Sequence, residues 1–72
     1  MDREELRARI ARRPNAVRFE ELQQLLEAYG WELRRIRSSH HTFVRAGRIL
    51  VVPLHRPHLL AVYVKRALKL IG

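Results

Sequence analysis

Two adjacent histidines stand in the stretch Arg37-Ser38-Ser39-His40-His41-Thr42-Phe43-Val44, behind an arginine and two serines and ahead of a run of β-forming residues. Histidine is the side chain whose unperturbed pKa, about 6.5, lets it take or give a proton near neutral pH. The neighbouring guanidinium and hydroxyls are groups that hold a phosphate. The structural alternative is a surface histidine in a turn, which the residues alone favour. If His40 and His41 both lie in a strand they point to opposite faces, so one can act while the other packs or pairs, and the geometry disfavours a shared metal ion. His55 and His58 would need carboxylates to hold a metal, and that half of the chain lacks them. Ser38 and Ser39 suggest a nucleophile, but no acid is at hand to complete a triad. Neither a metal nor another cofactor is expected.

The charge supports a phosphate-bearing partner. Residues 1–30 hold six basic and six acidic side chains, whereas residues 31–72 hold nine basic ones against Glu32 alone, which accounts for the whole formal net charge of +8. All four histidines fall in the same half. A one-sided field of this strength favours a polyanion, nucleic acid being the commonest, with a merely solvated basic surface as the alternative. Thirteen of the fifteen basic residues are arginine, which suits bidentate phosphate contacts.

Seventy-two residues allow one domain. The absence of cysteine removes disulfides and thiolate zinc sites and suits a reducing compartment. Met1 to Arg13 is charged throughout, unlike a secretory signal, and Ile49 to Val64 is broken by His55, Arg56, His58 and two prolines, unlike a membrane span. The expectation is a soluble, cytoplasmic protein with no membrane contact.

The elements that must position the histidines follow from periodicity. Asp2 three residues before Glu5, with Met1 and Leu6 at the flanking positions of a hydrophobic staple, predicts a helix that starts at once. Leu6 and Ile10 give it a narrow apolar stripe, suited to the edge of the domain, and Pro14-Asn15 stops it. Phe19, Leu22, Leu25, Leu26 and Tyr29 recur at helical spacing, Glu20 and Glu21 fall in the first turn, and Gly30 suits a C-terminal cap, so a second helix spans about 18–29. The period then changes. Residues 31–36 alternate imperfectly, 42–45 and 48–52 are rich in β-formers, and Ala46-Gly47 offers a tight turn, which predicts three short antiparallel strands. Arg37 to His40 are expected to join the first two strands, with His41 already in or near the second, and His55 to end the third. Leu60, Val64, Ala67, Leu68 and Ile71 mark a last helix over about 59–70, with Lys65, Arg66 and Lys69 opposite. Those three cations complement the helix C-terminus or contact phosphate, or both. The order implies an α+β fold with a three-stranded meander and helices on one face, the other face being left for solvent or a ligand.

In that order, Phe19-Glu20-Glu21-Leu22 to Leu26, Tyr29-Gly30-Trp31, Arg37 to Phe43, Val52-Pro53-Leu54-His55 and Val64 to Lys69 resemble the HicA-type (YcfA-like) toxins, small RNA-cleaving proteins of bacterial toxin–antitoxin pairs. The likeness covers about 17–72, and Asn15 to Arg18 resembles longer members with an extra first helix. It implies one toxin domain over 1–72: an additional N-terminal helix and turn over 1–16, then a double-stranded-RNA-binding-domain-like α-β-β-β-α core over 17–72. It also implies messenger RNA as substrate and silencing by a HicB-type antitoxin protein. The family's glycine-serine-histidine step is met by Ser39-His40, so His40 inherits the proposed catalytic role. Where the family has glycine this chain has Ser38, and glycine enters a turn there more readily than serine does.

The resemblance implies a metal-independent endoribonuclease of a type II toxin–antitoxin system. Such cleavage needs a base for the 2′-OH, donors for the charged phosphorus centre and an acid for the leaving 5′ oxygen. His40 is the candidate base or acid. Ser39 orients it or contacts phosphate, Arg35, Arg37 and Arg45 are candidates to hold the scissile phosphate, and Lys65, Arg66 and Lys69 extend the RNA surface. His55 is the candidate second titrating group, with a hydrogen-bonded structural histidine as its alternative. A different class of function, a non-catalytic RNA-binding module, would use the same basic surface.

Overall fold

The computed structural model describes residues 2–71. Their order is α1 (Arg3–Arg12), α2 (Phe19–Ala28), β1 (Glu32–Arg37), β2 (His40–Arg45), β3 (Arg48–Pro53) and α3 (Ala61–Leu70), the expected α+β arrangement.

Asp2 is the N-cap of α1, with Glu4 and Glu5 in the first turn and Arg9 and Arg12 in the last, the polarity that a helix dipole favours. Met1, the outer half of the expected staple, lies outside the described residues. Leu6 and Ile10 do more than edge the domain. Ile10 is fully buried, and α1 packs on both α2 and α3, so its narrow stripe completes the same core that the other helices share. The Arg13 guanidinium pairs with Glu21 and donates to the Ala16 carbonyl, while Glu21 also accepts the Arg18 backbone N–H at 3.1 Å. One carboxylate thus ties the end of the first helical segment to the open N-terminus of α2.

α2 ends in a Schellman motif. Gly30 stands at φ +89°, its N–H meets the Glu27 carbonyl at 3.0 Å, and the Trp31 N–H meets the Leu26 carbonyl at 2.9 Å. A Cβ at Gly30 would meet only the flexible Arg45 side chain, at 2.9 Å from Nε, so it is the φ that calls for glycine. The motif swings the buried Trp31 indole into the core and starts β1.

The sheet has the order β1-β2-β3, antiparallel throughout. Two-residue turns set its register: Ala46-Gly47, both at positive φ as a type I′ hairpin requires, pairs Thr42 with Val51 and His40 with Pro53. Ser38-Ser39 pairs Arg37 with His40, Ile36 with His41 and Arg35 with Thr42. Between Leu33 and Arg35 the register shifts, leaving Arg34 as the extra residue of a bulge, which accounts for the imperfect alternation in the sequence. Leu33 and Ile36 therefore fall on one face, and Arg35 and Arg37 on the other.

The helices cover the first of these faces. Phe43, Leu50 and Val52 are buried there beneath Phe19, Leu22, Leu25, Val64 and Ala67, and truncating a ring as enclosed as Phe43 costs roughly 3–5 kcal/mol. The connection from β3 returns over this side. Arg56 grips the Glu20 carboxylate through two bonds of 3.0 and 2.7 Å, and the Leu59 N–H donates to the Val17 carbonyl at 2.8 Å. α3 begins at Ala61, later than the spacing predicts, behind Leu60, which offers no side-chain cap.

Candidate active site on the open face of the sheet

β2 starts at His40, so His40 is the first residue of a strand rather than the last of the connection. The hairpin can be this short because Ser38 takes φ +57° and Ser39 a negative φ, the φ signs of a type II′ turn, whose first position glycine usually fills. Strand alternation then separates the histidines. His41 faces the helices, 9% exposed, with its ring centroid 4.4 Å from that of Phe19, and its Nδ1–H donates to the Ser39 carbonyl at 3.1 Å. The same carbonyl accepts the Leu54 N–H at 2.7 Å. The Ser39 carbonyl thus holds the turn against the end of β3.

His40 is exposed on the opposite, open face. Arg35, Arg37, Ser38, Thr42 and Val51 join it around a shallow open recess of about 370 Å³. Cross-strand pairing places Arg37 beside His40 and Arg35 beside Thr42, so two arginines line the β1 side, one opposite the imidazole and one a strand period further on. Such a recess can bind a phosphodiester through planar, always-charged donors and offer it one group able to move a proton. To a metal ion it offers one imidazole and no carboxylate, and among the described residues no cluster of three or more His, Cys, Asp or Glu side chains forms.

The other candidates lie elsewhere. Arg45 shares the strand parity of His41 and Phe43 and reaches back over Gly30, at the C-terminus of α2. Lys65, Arg66 and Lys69 are exposed on α3, which buries Val64 and Ala67 toward the sheet, so they sit on the helix side of the domain. Arg66 stacks over Tyr63 with 5.3 Å from guanidinium carbon to ring centroid. His55 falls two residues past the end of β3, in the connection, where its Nδ1–H donates to the His58 carbonyl at 2.8 Å and shapes that loop. The adjoining Arg56 holds the Glu20 carboxyl down at about 2, chiefly by direct hydrogen bonding. The Arg13 hydrogen bond likewise lowers Glu21.

Three lining residues, Ser38, Thr42 and Val51, are missing from the set expected from sequence. Their signal is geometric: Thr42 follows His40 by one strand period, and the Ala46-Gly47 turn sets Val51 opposite Thr42.

Among the described residues no helix is long and apolar enough to cross a membrane. No curated protein and no solved structure gives a significant match to the chain. A family model does: that of the HicA toxin of bacterial toxin–antitoxin pairs matches residues 19–72, which runs from the first residue of α2 through all three strands and α3. The chain therefore belongs to the HicA toxin family.

Proposed function

We propose that the chain is the toxin of a type II toxin–antitoxin pair, a metal-independent endoribonuclease that cleaves messenger RNA at the His40 recess and is silenced by a HicB-type antitoxin protein. One observation carries the reading: the single imidazole of the recess stands exposed opposite Arg37 and diagonal to Arg35 on an otherwise uncovered sheet face. Arg35 and Arg37 hold the scissile phosphate and offset the charge that builds on its oxygens. His40 takes the proton of the attacking 2′-OH, or in its protonated form supplies one to the departing 5′ oxygen. The 2′ oxygen bonds to phosphorus as the bond to the 5′ oxygen breaks. With one imidazole covering one of the two proton transfers, turnover is slow, which suffices for a toxin that cuts each transcript once. Arg45, Lys65, Arg66 and Lys69, on the helix side, serve only RNA long enough to wrap round the domain. The basic surface is a target for acidic residues of the antitoxin, which silences the toxin by covering the recess.

The test is incubation with a labelled transcript in EDTA, which removes metal-dependent contaminants. The parent protein cuts the transcript, and His40→Ala binds it without cutting. Undiminished cleavage by that variant sinks the reading. Ser38, held at a backbone angle that suits glycine, favours a second one, a module that holds RNA intact. A gel shift without cleavage by the parent protein would establish it.

A further inference from the structure

The open face carries a feature that phosphate binding and proton transfer leave unused. On β3, the strand farthest from the arginines, Ile49 is 66% and Val51 37% exposed, both on the same face as His40. Pairing puts Val51 beside Thr42 in the recess itself and Ile49 beside Val44, one strand period further on. The face is therefore divided lengthwise, with guanidiniums along β1, His40 and Thr42 along β2, and an aliphatic shelf along β3. Two strand spacings, about 10 Å, separate rail from shelf. A nucleotide is divided in the same way, with a charged phosphate at one end and a flat apolar base face at the other. The base can lay its face on the shelf only if it is free of a pairing partner, because a duplex stacks its base faces inward and presents only backbone and base edges.

We propose that Ile49 and Val51 form a base-binding shelf, so that the recess takes unpaired RNA with the base next to the scissile phosphate laid on β3. This rests on the reading of the recess as an RNA site and adds to it the strand state of the substrate and two residues that select it. Charge complementarity along β1 orients the strand, since a phosphate placed between Arg35 and Arg37 leaves its base pointing across β2 toward Val51. The shelf is aliphatic and flat, so it accepts any base face and discriminates paired from unpaired rather than one letter from another.

The test measures binding by the uncleaving His40→Ala protein and by the same protein carrying Ile49→Thr and Val51→Thr, changes that keep β-branching and strand propensity. Circular dichroism verifies that both melt alike. The probes are a labelled RNA of about eight nucleotides, within the usual footprint of a single-strand-binding fold, the same strand annealed to its complement, and an abasic strand with the same phosphates. The shelf variant is expected to bind the single strand at least about fivefold more weakly. It should bind the abasic strand as the unsubstituted shelf does, and the duplex should bind more weakly than the single strand to the intact shelf. Equal affinity of both proteins for the single strand overturns the proposal and returns the shelf to a protein partner. So does an equal loss on the abasic strand, or a duplex held as tightly as the single strand. Cleavage by the parent protein is scored separately, so a failed shelf is distinguishable from a failed nuclease.

Discussion

His40 and His41, joined by one peptide bond, occupy opposite sides of the sheet: His40 is exposed beside Arg37, and His41 is enclosed against Phe19 and bonded to the Ser39 carbonyl. Their substitutions should therefore have opposite signatures. His41→Ala loses a buried aromatic contact and a hydrogen bond, about 2 kcal/mol together, or roughly a 10 °C fall in Tm for a domain of this size. His40→Ala should stay within about 0.5 kcal/mol of the parent while cleavage disappears. Thermal melts beside an RNA cleavage assay separate the two, and a His40→Ala protein that melts as early as His41→Ala would contradict the assignment of faces.

Two turn residues hold positive φ without being glycine, Ser38 at +57° and Ala46 at +49°. An L-residue there costs roughly 1–2 kcal/mol, part of which glycine would give back in the unfolded chain. Ser38→Gly and Ala46→Asn are each expected to stabilise by about 0.5–1 kcal/mol. Only the first adjoins His40, so it alone should also raise cleavage. A rise of activity with Ala46→Asn would mean that global stability, not the local turn, limits the proposed cleavage.

Acid should weaken the fold in a defined window. Glu20, held down at about 2 by Arg56, and Glu21, lowered by Arg13, are both more acidic folded than unfolded, where a carboxyl titrates near 4.5. The stability they confer is complete above that unfolded value and drains away as pH falls from there toward 2. Removing Glu21 also removes the acceptor of the Arg18 N–H, so Glu21→Ala should cost roughly 1 kcal/mol at neutral pH and flatten the acid slope. Denaturant melts between pH 7 and 3 test this, and an unchanged slope in Glu21→Ala would refute it.

The sorting of basic residues by face can be read from salt dependence. Each phosphate contact on a single strand contributes about 0.7 to the slope of log affinity against log salt. With a short oligonucleotide, Arg37→Ala should lower the slope by about that amount, and Lys69→Ala should leave it near the parent value. Equal effects would mean that the strand wraps to the helix side even at short length.

The six elements and their order are legible in the sequence because each carries its own periodicity and stop signal: Leu22, Leu25 and Leu26 ahead of Gly30, and Ile49 to Val52 ahead of Pro53. The position of His40 is not. Glycine or asparagine is the usual mark of a two-residue hairpin, and Ser38 is neither, so the sequence places the strand start one residue late. The role of α1 is understated for a similar reason: two apolar residues make a weak stripe, yet Ile10 is fully buried where α1 packs on α2 and α3. Which cations share a surface with His40 follows from strand parity and register, and composition carries neither. Arg35 and Arg45 look equivalent in the chain and end on opposite sides of the sheet.

The Arg34 bulge has a bearing on how this chain tolerates change in length. Taken as a regular strand, β1 would alternate from Leu33 so that Arg35 and Arg37 face the core and Ile36 faces solvent. The one surplus residue resets the phase, and the two guanidiniums come round to the side of the imidazole. Shortening β1 by Arg34 keeps that phase, and lengthening it by one residue reverses it for every position between the insertion and the end of the strand. Homologous chains that lack the bulge residue should therefore keep their cations on the imidazole's side, whereas those with one residue more in β1 should turn them away, even when an alignment pairs the arginines perfectly.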